Sequence, residues 1–201
     1  PPFIQQMGCG QNTVQQIKTT EIIDEIKKQP PKEQQTKQAA VKFEEKTTIK
    51  GNYKIPHYDG CQASFRSLDK NNDQKLQLPE VIQAFQKLGL TSMSHDDIKF
   101  ILQYMDSNND DALDFEDFYQ MVYVILNNGL TNPDLMNFLI HDRNKNGTLE
   151  LHEIIKIYSK LGIQTTEETL RIFFQKALEK EDIESIEFEP FMDAMNKMKD
   201  K

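Results

Sequence analysis

Three runs of short oxygen-bearing side chains recur along this 201-residue chain: Asp69-Lys70-Asn71-Asn72-Asp73, Asp106-Ser107-Asn108-Asn109-Asp110 and Asp142-Arg143-Asn144-Lys145-Asn146, with first residues 37 and 36 positions apart. Carboxylates and carboxamides at alternating positions can turn several oxygens toward one point. A hard cation of calcium's size takes six to eight oxygens at once, so that is the chemistry these residue types suit. One such run is weak evidence, because Asx-rich turns are common. Three in a regular repeat are stronger. Loops that are polar merely because they are solvated do not demand a carboxylate at the twelfth place (Glu80, Asp117, Glu153) or an aliphatic at the eighth (Leu76, Leu113, Leu149).

Each run must be carried by the segments around it. Apolar residues at helical spacing precede the runs (Phe65, Leu68; Phe100, Ile101, Tyr104, Met105; Phe138, Leu139) and follow them (Val81, Ile82, Phe85, Leu88; Phe115, Phe118, Met121, Val122; Ile154, Ile155, Ile157, Tyr158). The unit is therefore helix, acidic loop, helix. Ser94, Asn132 before Pro133, and Thr165 or Thr166 are suited to start incoming helices. Gly89 and Gly162 are suited to end outgoing ones.

With these loops and flanking helices the chain resembles the EF-hand family, its calmodulin-like members in particular. That resemblance implies an all-α fold of two EF-hand pairs, with calcium ligands drawn from loop positions 1, 3, 5, 7, 9 and 12. In the first loop these are Asp69, Asn71, Asp73, the Lys75 carbonyl, Gln77 and Glu80. The second supplies Asp106, Asn108, Asp110, the Ala112 carbonyl, Asp114 and Asp117. In the third they are Asp142, Asn144, Asn146, the Thr148 carbonyl, Glu150 and Glu153. The recurring Leu76, Leu113 and Leu149 sit where paired loops of the family share a short strand contact.

The loops are not equivalent. Position 6 needs a backbone with φ > 0, and only the third loop has a glycine there, Gly147. Gln74 and Asp111 must enter the left-handed region, at about 1–2 kcal/mol for an ordinary residue and less for aspartate. Asp117 is one methylene shorter than glutamate, so bidentate reach weakens and the smaller magnesium ion becomes a candidate for the second loop. Against that, the second loop has four ligand acids, where each neighbour has three. The third loop is expected to bind best.

A fourth unit is expected about 37 residues further on, by the repeat itself. Leu170, Ile172, Phe173, Phe174 and Ala177 supply its incoming helix, but its loop, Glu179 to Pro190, is degenerate. Ile183 stands at position 5 and Pro190 at position 12, while Ile186 keeps the eighth place. It reads as a metal-free partner for the third loop.

Composition bounds the rest. Residues 1–57 carry nine lysines against six acids, which leaves 15 basic against 26 acidic side chains in residues 58–201. The chain thus divides into an N-terminal tail (1–57), partly helical or extended, and two lobes, 58–129 and 130–201. Lys50-Gly51 through Pro56 reads as extended linker. The acidic balance argues against nucleic-acid binding. No run of 18 apolar residues exists, and Cys9 and Cys61 make neither a disulfide framework nor a CxxC site, which points to a reducing, cytoplasmic setting. In the tail, Val14, Ile17, Ile22, Ile23 and Ile26 form a weak amphipathic stripe, and a second candidate helix covers Lys32 to Lys46. Met7-Gly8-Cys9-Gly10 looks like an acylated start, which would bring in a membrane. If Pro1 to Gln6 are present in the molecule, Gly8 has no free amine to acylate.

No enzyme is expected. There is no phosphate-binding glycine loop and no GxSxG, and His57, His95, His141 and His152 have no zinc spacing. The functional expectation is a calcium sensor or regulatory subunit that binds an amphipathic helix of a partner protein, methionines lining the groove. The alternative is a constitutive subunit of a larger assembly in which metal is structural. The resemblance implies cytoskeletal or ciliary assemblies as examples. Met105 and Met121, with Tyr58 and Phe65, are expected to be core, whereas Met192, Met195 and Met198 divide between core and groove.

Overall fold

Helix starts are set by side chains that take over N–H groups left without a carbonyl in the first turn. Ser94 accepts from the Asp97 N–H, Asp114 from that of Asp117, Asn132 from those of Asp134 and Leu135, and Thr166 from that of Thr169. The computed structural model describes residues 47–160 and 162–199, and within them there are eight helices. They are α1 (Tyr58–Leu68), α2 (Leu78–Lys87), α3 (His95–Met105), α4 (Phe115–Leu126), α5 (Pro133–His141), α6 (Leu151–Lys160), α7 (Glu167–Leu178) and α8 (Phe188–Lys199). Each pair of helices flanks one of the four loops. The two tail stripes and Met7-Gly8-Cys9 lie outside the described residues. No helix among the described residues is long and apolar enough to cross a membrane.

The described residues fall into two compact units, divided along the chain between Thr131 and Asn132. In the first, α1 to α4 bury Phe65, Leu68, Val81, Phe85, Ile98, Leu102, Met105, Phe118 and Met121. Its two loops are joined by an antiparallel bridge: the Leu76 N–H donates to the Leu113 carbonyl at 2.8 Å, and the Leu113 N–H returns the bond at 3.0 Å. After α4 the chain makes a 3-10 turn at Gly129–Thr131, and α5 begins afresh at Pro133, so no continuous helix runs from α4 into α5.

In the second unit α5 to α8 bury Met136, Phe138, Leu139, Ile154, Tyr158, Leu170, Phe174 and Phe191. Here the loop contact is a two-residue ladder. Strand β3 (Leu149–Glu150) pairs antiparallel with β4 (Ser185–Ile186), with Leu149 opposite Ile186. The eighth-position aliphatics thus meet in both units. Phe138 packs edge-on against Phe188, ring centroids 5.4 Å apart, and Phe174 stacks on Phe191 at 6.0 Å.

Two expectations need correction. The segment read as linker is a hairpin: strand β1 (Thr48–Lys50) pairs antiparallel with β2 (Tyr53–Ile55) across a two-residue turn, in which Gly51 takes φ 59°. The hairpin is docked on α4. The Asn127 side chain accepts from the Lys54 N–H at 2.8 Å and donates to the Lys54 carbonyl at 2.9 Å, completing a main-chain-like pair beyond the helix end. Tyr119 Oη donates to the Pro56 carbonyl at 3.0 Å, and burial raises its phenol to about 12. Tyr58 is the second correction. It is 47 % exposed rather than core, though its ring sits edge-on to Phe115 and Tyr119.

Candidate metal centre

The first residue of each run ends its incoming helix and organises the turn that follows. In the third loop Asp142 Oδ1 accepts from the Asn146 N–H and Oδ2 from the Gly147 N–H, both at 2.9 Å. Asp69 does the same for Asp73 and Gln74, at 3.2 and 3.0 Å. Asp106 Oδ1 receives Asn108 and Asn109 N–H groups, and its Oδ2 that of Asp111 at 2.9 Å. One carboxylate thus gathers the main chain around itself, which is what curls a linear DxNxD run.

The inner positions repeat the device on a smaller scale. Asn71 Oδ1, Asn108 Oδ1 and Asn144 Oδ1 accept from the N–H two residues on, at 3.0, 3.1 and 2.9 Å. Asp73, Asp110 and Asn146 in turn accept from Lys75, Ala112 and Thr148, the residues whose carbonyls are the position-7 candidates. Closure comes from the twelfth position. Glu80 Oε1 accepts from the Lys70 N–H (2.8 Å) and Oε2 from the Gln77 N–H (3.1 Å). Glu153 spans its loop in the same way, to Arg143 (3.0 Å) and Glu150 (3.1 Å). Asp117, one methylene shorter, sets Oδ2 against both the N–H and the hydroxyl of Ser107, at 3.2 and 3.1 Å.

Their surroundings shift two of these carboxyl groups in opposite directions. Desolvation raises Glu153 above the ordinary glutamate range. The two backbone N–H bonds oppose that rise, and the nearby Asp142 and Glu150 charges add to it. In the second loop the hydrogen bond from Lys75 holds Asp110 below the usual carboxylate range. Among the described residues no three His, Cys, Asp or Glu side chains converge into one cluster. The candidate sets are mixed, with asparagine amides and main-chain carbonyls between the acids. The donors are all oxygen, they include a charge at each end of the loop, and they therefore suit a hard divalent cation rather than a soft one.

Position 6 behaves as expected: Gln74, Asp111 and Gly147 have φ 66°, 62° and 83°. Position 4 is a second left-handed residue in every one of these loops, at Asn72 (57°), Asn109 (60°) and Lys145 (54°). That was not anticipated, although the shared asparagine in two loops is the signal, since its short side chain tolerates this region. In the fourth loop the oxygen-bearing turn is replaced. Ile183 is 3 % exposed, packed as core, and its carbonyl accepts from Arg171 Nη1 at 2.8 Å. The Glu181 carbonyl accepts from the Gln175 amide. His152 stands exposed, with Nδ1 3.2 Å from Glu150 Oε2, while His141 Nδ1 pairs with the Asn137 carbonyl at 2.8 Å.

Comparison with known proteins agrees with this architecture. The family model described as an EF-hand domain pair matches residues 58–123, the two loops of the first unit with their helices. A "probable calcium-binding protein CML18" of Arabidopsis thaliana is 30% identical over 115 residues, 56% of this chain and 69% of that protein. Mitochondrial substrate carrier family protein C of Dictyostelium discoideum is 33% identical over 113 residues, 54% of this chain and 22% of the carrier. The mitochondrial adenyl nucleotide antiporter SLC25A24 of Oryctolagus cuniculus is 32% identical over 89 residues, 44% of this chain and 18% of the antiporter. The chain therefore spans about a fifth of the length of the carriers it matches.

Proposed function

This chain belongs to the EF-hand family of calcium-binding proteins, and from that premise we propose that it is a calcium sensor or regulatory subunit that binds a helix of a partner protein. The carrying observation is a contrast among its apolar side chains. Met105, Met121 and Met136 are buried, whereas Met192 and Met195 on α8 are half-buried and Ile172 on α7 is 55 % exposed. Flexible thioethers and an exposed aliphatic on two helices that pack against each other suit a surface that must mould itself to a helix. The match to a short stretch of two mitochondrial carriers supports the same reading, because a module found both in a calcium-binding protein and within longer proteins is suited to regulate.

In this proposal calcium is held by Asp142, Asn144, Asn146, the Thr148 carbonyl, Glu150 and Glu153 in the third loop, and by the equivalent residues of the first two. What the metal supplies is charge neutralisation at the loop, which favours a more open helix pair in sensor proteins. The chain's own residues do the rest. Glu153 and Glu80, by spanning from the second to the ninth position, tie the outgoing helix to the loop, so rearrangement of either carboxylate moves α6 or α2 directly. The second loop, closed by the shorter Asp117, is the candidate for magnesium.

The test is fluorescence of an apolar-surface dye on the full chain as micromolar calcium is added. A rise that reverses on chelation supports the sensor. Calcium uptake measured by calorimetry without any dye response supports instead the constitutive subunit, in which metal serves the fold. No calcium uptake overturns both.

A further inference from the structure

Lys75 is a candidate ligand of the first loop only through its carbonyl, so calcium binding places no demand on its side chain. The structure gives that side chain a partner in the other loop: Nζ lies 2.6 Å from Asp110 Oδ2, with side chains 44% and 32% exposed. The antiparallel bridge between Leu76 and Leu113 holds the two loops side by side and brings the seventh position of one within reach of the fifth position of the other. Asp73 and Asp114 act on the same ammonium through their charge.

Both oxygens of Asp110 have donors in this arrangement: Oδ1 accepts from the Ala112 N–H at 3.2 Å, Oδ2 faces Lys75, and the Asn108 side chain adds a neutral bond. The comparable side chains elsewhere are held by neutral donors of their own loop: Asp73 by the Asn71 and Gln77 amides, Asn146 by the Thr148 N–H and hydroxyl. A charged donor binds a carboxylate more strongly than a neutral one. The second loop has four candidate ligand acids, and a lysine supplied by its neighbour offsets part of that charge.

We propose that Lys75 is a tethered competitor cation that sets the affinity of the second loop: it must leave Asp110 before that carboxylate can serve as a metal ligand. This rests on reading the loops as calcium sites. It makes the first loop a regulator of the second by charge as well as by the strand bridge. It also makes the second loop weaker than its acid count implies, most of all at low ionic strength, where an exposed ammonium is least screened.

The experiment uses the full chain with Glu80→Gln and Glu153→Gln to weaken the other two loops, with and without Lys75→Met, titrated calorimetrically with calcium chloride at low and at high potassium chloride. Lys75→Met is expected to tighten binding roughly three- to tenfold at low salt, less at high salt, as for a partly exposed charge pair. Lys75→Arg, which keeps the charge, is expected to stay weak. In the otherwise unaltered chain, the Lys75 ammonium resonance is expected to shift as the second loop fills. Unchanged or weakened binding in Lys75→Met overturns the proposal, as does an equal gain in Lys75→Arg. Absence of second-loop uptake with or without Lys75 overturns it too. Absence of any calcium uptake by the unaltered chain sinks the calcium reading itself, a distinct result from two proteins that bind equally well.

Discussion

The third and fourth loops share a unit and a ladder, and each lies between its own pair of helices, yet only one is built to gather oxygens. Leu149 and Ile186 pair across β3 and β4 alike, so the eighth position does the same structural task in both. Three places earlier they part. Asn146 turns its carbonyl oxygen onto the Thr148 N–H, while Ile183 buries its side chain and leaves its main-chain carbonyl to Arg171. The fourth loop thus carries a guanidinium against a main-chain oxygen of its turn. Pairing and oxygen-gathering are separable: an aliphatic at position 8 suffices for the first, and the second needs acids or amides at 1, 3, 5 and 12. A loop that has lost the second still supports a neighbour through the first.

That separation can be broken from either side. The largest effect is expected from Ile186→Ala, which empties a buried site in the fourth loop: a loss of about 2–5 kcal/mol in urea unfolding, accompanied by weaker calcium binding at the third loop because its partner strand loosens. Binding unchanged in Ile186→Ala would mean that the ladder holds the fold only. Next, Glu153→Gln is expected to weaken third-loop calcium binding about a hundredfold, ~2.8 kcal/mol, by calorimetry, whereas Glu189→Gln in the fourth loop leaves it unaltered. Equal effects of the two would erase the distinction between the loops.

Smaller changes sharpen the contrast in the first unit. Asp117→Glu restores the side-chain length that lets Glu153 reach both the second and ninth positions, and is expected to raise second-loop calcium affinity about tenfold at the expense of magnesium, read by competition titration. Gln74→Gly removes the left-handed strain at φ 66° and is expected to tighten the first loop by roughly fivefold, about 1 kcal/mol. Asn127→Ala is expected to free the hairpin from α4, seen as faster amide exchange at Lys54 with little change in calcium binding.

Much of this was legible in residue types alone. The 37- and 36-residue interval, the helical stripes and the acids at the first and twelfth places define three helix-loop-helix units, the repeat extends to a fourth, and Ile183 with Pro190 marks that fourth as different. Those signals are local: periodicity and turn chemistry act within a few residues. Less visible were the features that depend on which segments come together. Residues 50–56 look like linker because nothing nearby shows that Asn127, 73 residues from Lys54, completes their hydrogen bonds. Tyr58 looks like core because its surroundings in sequence are helical, but only packing decides that one side of its ring stays open.

The sequence by itself determined the oxygen-bearing loops, their order and the left-handed demand at their sixth positions, because these follow from the chemistry of single residues and their immediate neighbours. Only the tertiary structure decided that Lys75 meets Asp110, that Arg171 caps the Ile183 carbonyl and that the hairpin rests on α4. Each of those contacts joins groups brought within reach by a strand bridge or a packed helix, and the distance between two charged or polar groups, not their presence, sets what they do to one another.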